Sequence, residues 1–177
     1  MADTQATGAH TPPVILARNA IIAYVTEGRV LDVPADLPLL LQQPSGCFVS
    51  LKKHGALRGC IGTITPVHPS LAEEIIHNGI AACRDPRFPH PVSRDELGDL
   101  VITVDVLEPP EPVAGLADFD PKRYGMILRA GSRRGLLLPD LEGVETPEEQ
   151  YEIVCRKAGI FPGEAVEFSR FKSTRYH

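Results

Sequence analysis

Phe48-Val49-Ser50-Leu51-Lys52-Lys53-His54-Gly55-Ala56-Leu57-Arg58-Gly59-Cys60-Ile61-Gly62 is the stretch that decides the fold. Residues 46–53 and 56–64 both read as strands, with His54-Gly55 between them. A two-residue X-Gly connection between apolar runs predicts a hairpin closed by a type I′ turn. Antiparallel pairing is then written into the chain locally. Alternation along the second strand puts Arg58, Cys60 and Gly62 on one face and Leu57, Gly59, Ile61 and Thr63 on the other. Gly59 and Gly62, close on either side of Cys60, are poor strand formers. Such glycines mark a bulge or a place where another group approaches the backbone.

Outward from the hairpin, residues 13–27 read as a helix, with Pro13 in its first turn and Gly28 to end it. Residues 29–45 carry Pro34, Pro38 and Pro44 and are expected to form an irregular loop. Ser70-Leu71-Ala72-Glu73 has the spacing of a capping box and predicts a helix to about Arg84, broken by Asp85-Pro86-Arg87-Phe88-Pro89. Leu97–Leu107 alternates as a strand, and Glu108–Pro112 stops it at what reads as a joint between two lobes. Met126–Arg129 and Gly135–Pro139 predict a second hairpin. Thr146-Pro147-Glu148-Glu149 starts a helix to Ala158 capped by Gly159, and Val166–Phe171 closes the order as a strand. Irregular alternation of helices and hairpins favours an α+β fold, an antiparallel or mixed sheet flanked by helices, over a doubly wound one.

At 177 residues, with 43% apolar and 23% charged residues, the chain suits one domain over residues 13–177, with a small second lobe, preceded by a disordered tail over residues 1–12. The net charge of −5 argues against nucleic acid, which selects basic proteins. No apolar run approaches the roughly 20 residues that span a bilayer, and the start lacks a secretory pattern, so the cytoplasm is the expected location. Cys47, Cys60, Cys83 and Cys155 show no ligand spacing and read as reduced thiols; the histidines show none either, so neither a metal nor a cofactor is expected.

The segment Leu57-Arg58-Gly59-Cys60-Ile61-Gly62 resembles the hallmark of the AmmeMemoRadiSam system protein A family, whose eukaryotic relatives are named for the Alport syndrome, midface hypoplasia and elliptocytosis chromosomal region. Phe48–Gly55, Asn78–Phe88, Val106–Pro112, Gly135–Pro139 and Cys155–Gly159 agree with it in order. The resemblance implies an α+β fold with a large lobe around an antiparallel sheet and a smaller one. It also implies association with a Memo-like protein and a radical SAM protein. The cysteines here cannot hold an iron–sulfur cluster, so radical chemistry would belong to the partner.

Cys60 is the leading candidate for chemistry. A thiol acts as nucleophile or redox group when ionised, a state that nearby cations favour, and Arg58 would supply the cation. Gly59 and Gly62 would let a substrate reach the sulfur. The plain alternative is a small core residue among glycines that serve tight packing. His54 in the turn lies more than about 10 Å along an ideal strand from Cys60, so partners are sought in the loop Asp85–His90. Asp85 and Arg87 are the favoured residues there, and Asn78 is a further candidate for orienting a substrate, or else a helix cap. Arg129, Arg133 and Arg134 on the second hairpin, and Lys52, Lys53 and Arg58 on the first, could bind an anionic ligand if they shared a cleft. Two functions follow: a small cysteine enzyme or enzyme component, or a non-catalytic scaffold subunit docking through the same hairpin.

Overall fold

The computed structural model describes residues 10–177. The tail expected over residues 1–12 lies outside the described residues as far as residue 9. Beyond that the chain is already ordered: helix α1 spans Pro12–Glu27, and Thr11 bonds through its N–H and hydroxyl to the His177 carbonyl. Gly28 ends α1 in the left-handed conformation, at φ 67°.

The chain forms two compact units with separate cores. The first runs through Val106 and regains Arg175–His177; the second is Leu107–Thr174. In the first, β1 (Cys47–Lys53) and β2 (Ala56–Thr63) form the expected hairpin. Both turn residues have positive φ, His54 at 50° and Gly55 at 80°, as a type I′ turn requires. The four-stranded sheet has the order β2-β1-β3-β8, with β3 at Leu100–Leu107 and β8 at Ser173–Tyr176, so β2 is an edge strand. Helix α3 (Leu71–Cys83) packs on β1 and β2 and carries α1 on its far side. Ser70 caps α3, its hydroxyl accepting from Glu73 N–H at 3.3 Å.

In the second unit the sheet order is β4-β7-β5-β6, antiparallel at each pair: β4 (Glu111–Val113), β5 (Gly125–Ala130), β6 (Arg133–Leu137) and β7 (Glu167–Phe171). Helix α4 (Pro147–Ala158), with its full Thr146/Glu149 capping box, packs on β5 and β6. Among the described residues no helix is long and apolar enough to cross a membrane.

Four expectations need correction. The loop over residues 29–45 contains a one-turn helix, α2 (Leu39–Gln42), which buries Leu41. The strand expected from Leu97 begins at Leu100, because Ser93 and Glu96 cap a 3-10 turn over Arg94–Asp99. The proline-rich stop contains β4: Pro112 sits on an edge strand, where a missing N–H costs little. Finally, β8 follows β7 across the single residue Lys172.

Candidate functional site

The hairpin does not pair as simple alternation requires. Its register slips between Leu51 and Lys52: Lys52 faces Leu57 while Leu51 faces Gly59, so Arg58 is an extra residue in β2 without a ladder partner. The slip brings Ser50, rather than Val49, opposite Cys60. Ser50 pairs with Cys60 and its hydroxyl donates to Sγ at 3.1 Å. Cys60 itself is half-buried. Phe48, Ser50 and Lys52 share its face, and on β3 so do the exposed Val101, Thr103 and the buried Asp105.

The bulge also redirects Arg58. Its guanidinium grips Glu96, Nε to Oε1 and Nη2 to Oε2 both at 2.9 Å, donates to the His90 carbonyl at 3.1 Å, and lies over the Phe88 ring. Lys53 donates to the same carboxylate. This pairing, led by Arg58, holds the Glu96 carboxyl well below the ordinary carboxylate range. Arg58 thus does not supply the cation for Cys60, as alternation suggested; the thiol its charge reaches is Cys83 on α3.

Arg87 is the guanidinium that bonds to Cys60, through the backbone. Its Nη2 donates to the Cys60 carbonyl at 3.0 Å and to Asp85 Oδ2 at 2.6 Å. Asp85 Oδ2 in turn accepts from the Cys60 N–H at 2.9 Å. Both outward backbone groups of Cys60, which an edge strand would leave open, are therefore closed by one Asp-Pro-Arg loop. Asp85 is buried, whereas the Arg87 side chain is 57% exposed. The guanidinium, aided by the two N–H donors of Cys60 and Arg87, pulls the Asp85 carboxyl down to about 2.

Asn78 and the glycines have structural contacts. Asn78 lies inside α3 rather than at its end. Its amide donates to the Cys47 carbonyl at 3.1 Å, to Cys47 Sγ at 3.4 Å and to Thr63 Oγ1 at 3.2 Å, on the sheet face away from the Cys60 sulfur. The fully buried Glu74 completes this fastening, accepting from Thr63 Oγ1 and from the N–H groups of Val67 and His68. A Cβ on Gly59 would stand 2.1 Å from the Ala82 carbonyl oxygen, and one on Gly62 2.3 Å from the Phe48 ring. Gly59 lets α3 approach, and Gly62 lets Phe48 lie across the strand.

Sequence reasoning missed Ser50, Glu96 and Glu74. A count back from the His54-Gly55 turn pairs Ser50 with Gly59, so only the bulge reveals it. Glu96 had a signal in the Ser93-x-x-Glu96 capping spacing; Glu74 had none. The arginines of the second hairpin are engaged elsewhere: Arg133 with Glu164 and the Gly159 carbonyl, Arg129 beside Glu167. His54 stands beside Asp99 at 3.7 Å. Among the described residues no cluster of three or more histidine, cysteine or acidic side chains is placed to hold a metal.

Fold and site together define a two-unit α+β protein that presents a thiol on a bulged, clamped edge hairpin. The family model AMMECR1 matches residues 14–177, and the chain belongs to that family. It is 52% identical over 169 residues to a Thermotoga maritima protein, covering 93% of this chain and 97% of that one. It is 48% identical to a Clostridium acetobutylicum protein, covering 93% of this chain but only 36% of that longer one. Among solved structures it resembles an uncharacterised protein of Pyrococcus horikoshii, with TM-score 0.86 and 36% identity over 92% of this chain and 88% of that one.

Proposed function

We propose that the protein is a cysteine-dependent enzyme or enzyme component acting on a small anionic substrate, with Cys60 as the reacting thiol. The observation that carries this reading is the division of labour at Cys60. Asp85 and Arg87 fix its backbone through its N–H and its carbonyl, while its sulfur is left half-buried with Ser50 as hydrogen-bond donor. Clamping a reacting group on rigid elements is what positioning for catalysis needs. The exposed part of the Arg87 guanidinium, with Lys52 on the same sheet face as the sulfur, offers an anion two positive partners. Arg58, Gly59, Gly62 and Asn78 support the hairpin rather than touch substrate. Asp85 acts as a positioning residue.

By its resemblance to the AmmeMemoRadiSam system protein A family, such a protein would work with a Memo-like protein and a radical SAM protein, and in the cytoplasm. The test is alkylation of the native chain with iodoacetate, an anionic reagent, and with neutral iodoacetamide, read by peptide mass spectrometry. Cys60 is expected to outpace a free model thiol, and to favour iodoacetate in a manner lost in Arg87→Gln. Equal or slower reaction than the model thiol refutes an activated Cys60.

The second reading, a scaffold subunit docking through this hairpin, is favoured by one observation: Arg58, Gly59 and Gly62 each shape the hairpin's surface rather than line access to the sulfur. Under it, Cys60→Ser would leave co-purification with Memo-like or radical SAM partners and their activity unchanged.

A further inference from the structure

Helix α4 has two working faces. Gln150 and Val154 are buried, facing the second unit's interior. The other stripe, Tyr151 and Cys155 one turn apart, forms a wall of an open cavity of about 510 Å³, completed by Leu116, Ile160 and Pro162. That volume lies in the range of small-molecule sites, roughly 300–1,000 Å³. The walls are mostly carbon, and the Tyr151 ring stacks on Phe168, with centroids 6.0 Å apart. Two polar groups converge inside. The Tyr151 hydroxyl is hydrogen-bonded with Cys155, which together with desolvation raises the tyrosine above its ordinary value. At the rim, α4 contributes Glu148, Glu152 and Arg156 at successive turns, a net charge of one negative. Among the described residues none of these three has an ion-pair partner within 4.0 Å.

We propose that this cavity is a binding site for a small ligand with an apolar, ring-sized body and a single ammonium group, the body seated between Leu116, Tyr151 and Ile160 and the charge held at Glu148 and Glu152. All its residues belong to the second unit, whereas Cys60 belongs to the first, so the proposal does not rest on any reading of that thiol. Carbon walls demand an apolar body. The rim selects a cation because its carboxylates outnumber its guanidinium. Exposed pairs of this kind add little each, so the ammonium sharpens selectivity more than affinity.

Three isosteric probes test the assignment on the full chain: phenethylamine, 2-phenylethanol and phenylacetate, titrated while the amide signals of Leu116, Tyr151 and Ile160 are followed by NMR. Saturable shifts are expected for the amine, with affinity about two- to fivefold above the alcohol and a difference that shrinks in high salt. Phenylacetate is expected to be weakest. The double variant Glu148→Gln/Glu152→Gln, on the exposed side of α4, should erase the gap between amine and alcohol while the alcohol still binds. Saturating amine should also slow alkylation of Cys155 and leave Cys60 unaffected. No saturable shift with any probe, or carboxylate binding as tight as amine binding, overturns the proposal. Persistence of the amine preference in the double variant overturns the assignment of the rim.

Discussion

Gly59→Ala separates the two readings of the glycine beside Cys60. If that glycine served substrate access, a methyl group there would block the sulfur and leave stability alone. The geometry requires the reverse. The new Cβ would stand 2.1 Å from the Ala82 oxygen and 3.1 Å from its carbon, both backbone atoms of α3, so no side chain can swing aside. Relief needs β2 and α3 to separate by about 1 Å, across an interface that also buries Leu51, Ile75 and Ile76. Overpacking of this kind costs about 1–3 kcal/mol, and a clash with backbone belongs in the upper half of that range. For a chain of this size the melting temperature should fall by about 4–12 °C. Urea unfolding followed by circular dichroism measures the loss, and hydrogen exchange at α3 and β2 amides locates it in the first unit. Gly98→Ala is the control, since its Cβ would meet nothing within 4 Å; it should change stability by less than about 0.5 kcal/mol. A Gly59→Ala protein as stable as the parent, yet slow to alkylate at Cys60, would refute the packing argument.

Asp85, pulled down to about 2 by Arg87, stabilises the fold while ionised. Its contribution is complete above the unfolded carboxyl value near 4 and is lost as pH falls from there through about 2; because Arg87 is largely exposed it amounts to about 1–2 kcal/mol, and Asp85→Asn should flatten that part of the acid-stability curve. Glu96→Gln removes the charge that holds Arg58 and Lys53, so urea titration should show a loss of about 2–3 kcal/mol, partly restored by Arg58→Met in the same chain. Burial pushes the Cys47 and Cys83 thiols up to about 12, with Arg58 easing Cys83 back only in part; both should resist a thiol reagent at neutral pH in the native protein and react once urea unfolds it.

The sequence by itself determined the elements whose causes are local. A two-residue His54-Gly55 link can close only a hairpin whose turn takes positive φ, and Ser70 and Thr146 mark helix starts because a hydroxyl there meets an otherwise unpaired N–H. It likewise singled out Cys60, Asp85 and Arg87, since the hallmark segment and the Asp-Pro-Arg loop are contiguous in the chain. Only the tertiary structure decided what those residues touch. A single extra residue at Arg58 turned that side chain to Glu96 and brought Ser50 to the sulfur, while Arg87, from a loop after α3, bonds to the Cys60 backbone. A bulge is a compromise between strand pairing and the packing of α3 on the sheet, and its position depends on atoms far apart in sequence. The pairing of β4 with β7 and the cavity beside α4 are of the same kind: each requires segments distant along the chain to meet, and side-chain periodicity within one segment carries no record of its partner.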